Sequence, residues 1–133
     1  MREELDRKLV KKFPKIFKNR FADIRTTAMC WGFECGDGWY WLIEELCRSL
    51  QWDTNHNRHP QVVASQVKEK FGTLRFYTEG EDDRQSGMIS LAYNMSATIC
   101  EECGSAGTLR QDRPWVKTLC DSCAEPKVRF IGG

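Results

Sequence analysis

Two pairs of cysteines near the end of the chain constrain this sequence more than any other feature. Cys100 and Cys103 form one C-x-x-C pair, and after sixteen intervening residues Cys120 and Cys123 form a second. Each pair places two thiolates on one turn, where both can reach the same ion, and this spacing is typical of structural zinc sites. Four sulfur ligands favour zinc over harder cations, although iron also accepts such a set. We predict that these four cysteines bind one structural Zn2+.

The residues around the cysteine pairs predict a small zinc finger. Gly104 follows the first pair as a tight turn requires, residues 108–110 and 115–119 can pair as a hairpin, and residues 120–125 can form a short helix. This order resembles that of treble-clef fingers of the GATA class. Unlike those fingers it has no basic face, since residues 100–133 contain five basic and five acidic side chains. A redox role is the alternative for either pair, although redox motifs rarely occur as two matched pairs.

The remaining three cysteines, Cys30, Cys35 and Cys47, need no disulfide partner. The N-terminus lacks the apolar core of a signal peptide, so we expect the chain to stay in the cytoplasm, where thiols are kept reduced. Cys47 falls on an apolar helical stripe and is predicted to be a core residue. Cys30 and Cys35 with His56 and His59 form an alternative second metal site, but the four-residue gap between these cysteines fits known spacings poorly.

The overall charge excludes the strong positive field that many nucleic-acid-binding proteins carry. Twenty Lys and Arg residues against nineteen Asp and Glu give a formal charge of +1. A local basic surplus lies in the first 25 residues, where Leu5, Leu9 and Phe13 predict a short helix over 3–13. No apolar run reaches the roughly 20 residues needed to cross a bilayer, so we expect no membrane partner.

The first 99 residues are predicted to form an aromatic-rich α+β domain, followed by the four-cysteine module over residues 100–133. Apolar residues at helical spacing predict helices over about 37–51 and 85–99, the first with Asp37 as its N-cap, and a polar loop over 52–60. Between these helices the apolar positions alternate, which predicts two antiparallel strands joined between Lys70 and Thr73. We expect two or three helices packed on a small antiparallel β-hairpin or sheet.

An aromatic and cationic surface is the candidate ligand site of the sequence. Three glycines between positions 32 and 38 indicate a tight loop, and the aromatic side chains around it cannot all face one core. Exposed rings beside cations suit a stacked base and its phosphate, or a protein hot spot. The alternative is that these rings simply build the core of a small domain. The candidate residues are Trp31, Phe33, Trp39, Tyr40, Trp41, Lys68, Lys70, Arg75 and Tyr77.

Two longer motifs resemble those of a known family. They run from Cys30 to Tyr40 (CWGFECGDGWY) and from Gln66 to Tyr77 (QVKEKFGTLRFY). Together with the paired C-x-x-C, they resemble small proteins encoded by tailed bacteriophages and prophages, a family that brings no established activity. The resemblance implies a viral protein that acts in the cytoplasm of a bacterial host. Small accessory phage proteins of this kind often counter host defence.

These observations lead to one functional expectation and two alternatives. We expect a non-enzymatic immune-evasion protein, monomeric or oligomeric, that binds a host defence protein or sequesters a nucleotide immune signal through its aromatic and cationic residues. The first alternative is a nucleic-acid-binding or transcription-modulating zinc-finger protein that uses its basic N-terminal helix and the finger. The second is an enzyme of the nuclease type. Its candidate acid/base pair would be Glu34 and Asp37, although Asp37 also suits a helix cap.

Overall fold

The structure, a computed structural model, describes residues 1–125, so the last part of the predicted finger, 126–133, lies outside the described residues. In the described part, four α-helices and two small sheets form the predicted α+β fold. The helices are α1 (Glu3–Lys12), α2 (Tyr40–Asn57), α3 (Asp83–Ser96) and α4 (Asp121–Ala124). The strands are β1 (Phe33–Glu34), β2 (Val63–Lys70), β3 (Thr73–Glu79), β4 (Thr108–Arg110) and β5 (Lys117–Leu119).

The larger sheet has the strand order β1-β2-β3. The predicted antiparallel pairing of β2 and β3 is confirmed, with Lys70 opposite Thr73 at the turn. The two-residue strand β1 lies parallel to β2, and a strand this short shows no alternation from which it could be predicted. Val67 is in register with Phe33 on one side and Phe76 on the other. All three side chains are buried, so they mark the core face of the sheet.

Helices α1 and α2, with the segment that follows α1, supply most of the rest of the core, and Ala92 of α3 adds to it. Phe17 in that segment packs edge-on against Phe33 and Phe76, with ring centroids 4.9 and 6.3 Å apart. Trp39, directly before α2, is fully buried. Cys47 is also fully buried, which confirms its prediction as a core residue. Removal of this apolar surface from water is the main source of stability for a domain of this size.

Helix α3 partners the outer edge of β3. The Leu74 N–H donates to Oγ of Ser96 at 2.9 Å, so a side chain of the helix takes the place of a neighbouring strand. A capping box begins the helix: the Asp82 carboxylate accepts from the Gln85 N–H, and the Gln85 side chain accepts from the Asp82 N–H. At Leu74, the backbone N–H on the open edge of β3 is therefore already hydrogen-bonded within the protein and is not free to pair with a strand of another molecule.

Helix α2 is longer than the sequence predicts, and the loop predicted over 52–60 is wrong for residues 52–57. The helix continues because its polar residues find partners in the fold. The buried Asp53 accepts hydrogen bonds from Asn57 and from Arg84 of α3. The helix ends at Asn57, and the residue that caps it, Arg58, has a left-handed φ of 59°. None of the helices between residues 1 and 125 has the length and apolar character needed to cross a membrane.

A buried ion pair ties α1 to the chain that follows it. Asp6 is nearly inaccessible, and Arg20 binds its carboxylate through Nε, at 3.0 Å, and Nη2. Nη1 of the same guanidinium donates to the carbonyl of Cys30 at 2.9 Å. Gly32 lies against this pair, and a Cβ at that position would stand 2.5 Å from the Asp6 carboxylate. The first glycine of the glycine-rich loop therefore fits both the ion pair beside it and its own positive φ of 76°.

Replacing Arg20 with alanine is expected to lower the free energy of unfolding by about 3 kcal/mol, because it leaves the buried Asp6 carboxylate without its charge partner. The exposed pair of Arg25 and Asp23 provides a matched control. Arg25→Ala should leave the unfolding midpoint nearly unchanged, since exposed ion pairs contribute little. Urea unfolding measures both variants, and equal midpoints for the two would contradict this account.

Candidate metal centre

The four predicted cysteines converge on one point in the structure. Their sulfur atoms all lie within 4.8 Å of one another, and Sγ of Cys103 is 3.6 Å from Sγ of Cys120. A tetrahedral ion with metal–sulfur bonds of about 2.3 Å, as zinc has, would hold its sulfurs about 3.8 Å apart. The donor set therefore fits one tetrahedral, thiophilic metal ion. Its members are Cys100, Cys103, Cys120 and Cys123.

Local hydrogen bonds shape the two turns that carry the cysteines. In the first turn, which we call the knuckle (residues 100–104), the Gly104 N–H donates to the Cys100 carbonyl at 2.9 Å, and Gly104 has a φ of 82°. In the second, Cys120 directly precedes α4, and its Sγ accepts a hydrogen bond from the Cys123 N–H. The predicted hairpin between the turns is confirmed as β4 and β5. Knuckle, hairpin and short helix thus follow in the predicted order.

The cysteine sulfurs differ in the hydrogen bonds they make. Hydrogen bonds from the side chain and backbone of Ser105 lower the pKa of Cys103 to about 6. A hydrogen bond with Cys120 raises the pKa of Cys123 well above its usual value. The cluster therefore favours a thiolate at Cys103 near neutral pH, and the thiolate is the form of cysteine that binds metal ions.

The knuckle packs against the glycine-rich loop that precedes α2. The Gly38 N–H donates to the Glu101 carbonyl at 2.7 Å, and the Gly36 N–H donates to Oε2 of Glu101 at 2.9 Å. Beside them, Nε1 of the buried Trp39 donates to the Ile99 carbonyl at 2.9 Å. Residues 36–39 are therefore the docking site of the knuckle, with Glu101 as the central contact.

Close backbone approach explains why this loop contains Gly36 and Gly38. A Cβ at Gly38 would lie 2.1 Å from the Cys100 carbonyl oxygen and 2.6 Å from the Gly104 nitrogen. A Cβ at Gly36 would lie 2.3 Å from the Glu101 carbonyl oxygen. These are backbone atoms, which cannot rotate away as a side chain can. Both positions therefore require glycine for as long as the knuckle is docked.

Glu101 is a buried acid in this contact. Burial raises the pKa of its carboxyl group, while the hydrogen bond from Gly36 acts in the opposite direction. Nζ of Lys117, on β5, lies 3.9 Å from Oε1 of Glu101. Sequence reasoning missed this residue, because a glutamate between two cysteines carries no signal of what it contacts 65 positions away.

The prediction that Asp37 caps the helix after the loop is wrong. Its carboxylate accepts a hydrogen bond from the Arg2 N–H at 2.8 Å, which joins the loop to the beginning of the chain. Helix α2 begins at Tyr40, and Trp39 occupies the cap position without a side-chain hydrogen bond to the helix. The indole of Trp39 instead donates to the carbonyl of Ile99, the residue directly before the knuckle.

A second contact joins the finger to the turn between β2 and β3. Oγ1 of Thr118 donates to the Gly72 carbonyl at 2.7 Å. The side chains of Leu109 and Val116 cover Gly72 so closely that a Cβ there would lie 2.5 Å from Cδ1 of Leu109. Phe71 and Gly72 both have positive φ, at 54° and 81°. Residues 100–125 thus contact the first 99 residues of the chain at the 36–39 loop and at the turn between β2 and β3.

The aromatic part of the predicted ligand surface is not assembled. Phe33 and Trp39 lie in the core, with 4% and 0% of their surface exposed, so their assignment to a binding surface is corrected. Tyr40 is half-buried, Trp41 is exposed in a groove against α3, and Trp31 is exposed. The reason is geometric, because successive side chains at the start of a helix point about 100° apart and cannot share one face.

The predicted cations and Tyr77 lie on the face of the large sheet opposite the core. Lys68 pairs with Arg75 across β2 and β3, and strand alternation places Tyr77 and Lys70 on the same face. The Arg75 guanidinium packs over the ring of Tyr93, 5.0 Å from its centroid. The role of these four residues in binding a ligand stays a prediction.

The alternative metal site at Cys30, Cys35, His56 and His59 is not brought together. Cys35 is buried in the core, whereas His56 is exposed on α2. His59 is paired with Asp82 instead. Over residues 1–125, the four-cysteine cluster is the one group of three or more potential ligand side chains that converges.

Comparisons of the chain with protein-family models, with curated proteins and with solved structures gave no match.

Proposed function

We propose that this chain is a non-enzymatic binding protein in which one structural zinc ion holds the finger against the α+β domain. We propose as its setting the cytoplasm of a phage-infected bacterium, where it binds a host defence protein. The observation that carries the proposal is the convergence of four cysteines in a finger whose knuckle is bonded through Glu101 to the 36–39 loop. The phage setting rests on the motifs from Cys30 to Tyr40 and from Gln66 to Tyr77.

A structural role for zinc follows from the ligand set. Four thiolates fill a tetrahedral shell and leave no position for a water or substrate, which a catalytic zinc needs. When bound, the ion supplies four fixed bonds between the two cysteine turns and neutralises part of their negative charge. The ion would thereby fix the knuckle and α4 relative to each other, and through Glu101 it would fix the knuckle on the first domain.

Binding of a protein partner is supported by the large aromatic side chains that the fold leaves in solvent. Trp31, Trp41, Phe71 and Trp115 are each more than 60% exposed. Exposed aromatic residues of this size are costly to hydrate and are typical anchors of protein interfaces. They lie on different elements, which favours a protein surface as the ligand over a single small nucleotide.

Co-purification from infected bacteria tests this function. We expect the tagged protein to enrich one host protein, and Cys103→Ser, which cannot complete the zinc site, to lose that enrichment. Mass spectrometry of the small molecules in the same eluate tests the nucleotide-sequestering version, in which an unchanged nucleotide is recovered. Absence of any enriched host protein, or recovery of a hydrolysed nucleotide, would contradict the proposal.

Nucleic-acid binding is the second candidate, because Lys68, Lys70, Arg75 and Tyr77 share one face of the sheet. If that face binds single-stranded nucleic acid, the affinity for an oligonucleotide should fall steeply between about 50 and 200 mM salt, as counterion release requires. Lys68→Ala should weaken binding and reduce the salt dependence, whereas Lys18→Ala, on an exposed part of another segment, should not. Binding that does not change with salt would eliminate this candidate.

A further inference from the structure

Phe71, in the turn between β2 and β3, is exposed and has a backbone conformation that does not suit it. Positive φ at both Phe71 and Gly72 is the pattern of a two-residue type I′ turn. Asn-Gly is the preferred sequence there, because the left-handed region is unfavourable for most residues that carry a Cβ. The ring of Phe71 is 68% exposed, so burial of its apolar surface does little to offset this backbone strain.

The finger holds this turn in place from one side. The Thr118 hydroxyl donates to the Gly72 carbonyl, and Leu109 and Val116 pack on Gly72. The backbone next to Phe71 is therefore fixed by the same hairpin that joins the two cysteine pairs. A ring presented by a rigid turn loses less conformational freedom on binding than one on a loose loop.

We propose that Phe71 is the anchor of a protein–protein interface and that its ring enters an apolar pocket on the partner protein. The neighbouring Leu109, which packs on Gly72 and is 39% exposed, extends the apolar contact. The Lys70 ammonium lies 5.6 Å from the centroid of the Phe71 ring. This cation calls for an acidic group at the rim of the partner's pocket. This inference rests on the proposed function in one respect only, namely that the partner is sought in phage-infected bacteria.

A protein pocket fits this site better than a nucleic acid does. The side chains beside the turn, Leu109 and Val116, are aliphatic and offer no ring face on which successive bases could stack. An aromatic anchor surrounded by smaller apolar contacts that exclude water is the usual arrangement of an interface hot spot.

The unfolding temperature of a Phe71→Asn variant shows whether Phe71 serves binding or stabilises the fold, and it needs no partner protein. Asparagine suits the left-handed position of the turn, so we expect the variant to unfold at a temperature about 3 °C higher than the wild type. Phe21→Asn is the matched control, because Phe21 is 75% exposed and has no positive φ, and it should give no such rise. A lower unfolding temperature for Phe71→Asn would mean that the ring stabilises the fold, and it would overturn the proposal.

Binding is tested with a photoreactive phenylalanine analogue at position 71 or at position 21 in infected bacteria. We expect one protein adduct from position 71 that is absent from position 21. The purified partner should then bind Phe71→Asn about 30-fold or more weakly than the wild type, which is the loss expected for a hot-spot residue. If the partner binds the wild type and Phe71→Asn with equal affinity, or if position 71 crosslinks to nucleic acid, the proposal is overturned.

Failure of this inference and failure of the proposed function give different results. If a host protein co-purifies but crosslinks from other positions only, the binding function stands and Phe71 is not the anchor. If no host protein co-purifies and no adduct forms from position 71, both proposals are wrong.

Discussion

Replacing Cys103 with serine is expected to lower the free energy of unfolding by about 4 kcal/mol or more, because loss of a metal site is among the few single changes with so large an effect. The effect should reach beyond the finger. Glu101 lies in the same turn as Cys103 and accepts hydrogen bonds from Gly36 and Gly38. We therefore expect the Gly38 amide, which is far in sequence from the four clustered cysteines, to lose its protection against hydrogen exchange in the variant.

Cys30→Ser is the matched control for this experiment, since it makes the same chemical change at a cysteine outside the cluster. Its midpoint of unfolding in guanidinium and the hydrogen-exchange protection of its Gly38 amide should both be close to those of the wild type. If Cys103→Ser and Cys30→Ser unfold at the same midpoint, the cysteine cluster does not stabilise the fold. If stability falls but the Gly38 amide stays protected, the finger folds independently of the 36–39 loop.

Gly38→Ala is the second change with a large expected effect. Its Cβ would lie 2.1 Å from the Cys100 carbonyl oxygen, so the knuckle must move away from the loop. We expect a loss of about 3 kcal/mol, at the upper end of what overpacking usually costs. Gly87→Ala in α3 is the control, because a Cβ there meets nothing within 4 Å. That variant should gain about 0.5–1 kcal/mol, as alanine is the better helix former.

Metal content distinguishes the Gly38 variant from the Cys103 variant. Gly38→Ala leaves all four ligands in place, so it should still bind metal while its finger is displaced. Elemental analysis of the purified variants, together with their unfolding curves, measures the two properties separately. A Gly38→Ala protein as stable as Gly87→Ala would show that the contact between the knuckle and residues 36–39 is not formed in solution.

Features that depend on local pattern were predictable from the sequence. The cysteine cluster follows from the spacing of two C-x-x-C pairs, because each pair is a single turn and the distance between pairs matches a known template. The hairpin of β2 and β3 follows from alternation around the turn after Lys70. The stripe that contains Cys47 identifies the buried face of α2, because helical period and burial coincide there.

Features that depend on contacts distant in sequence were not predictable. Gly36 and Gly38 indicate a tight loop, but their need for glycine comes from the backbone of residues 100–104. The last turns of α2 contain polar residues typical of a loop, yet Arg84 from α3 pairs with Asp53 and the helix continues. The aromatic residues near the glycine-rich loop are close together in sequence, which predicts one shared surface. In the structure, however, Trp39 points into the core and Trp41 into solvent.

The central claim, that zinc closes the finger and holds it on the α+β domain, is tested most directly by native mass spectrometry of the chain purified without added metal. We expect one zinc ion per wild-type chain, none in Cys103→Ser, and loss of the folded charge-state distribution when a chelator removes the ion. A wild-type chain that carries no metal and keeps the same folded distribution with and without the chelator would contradict it.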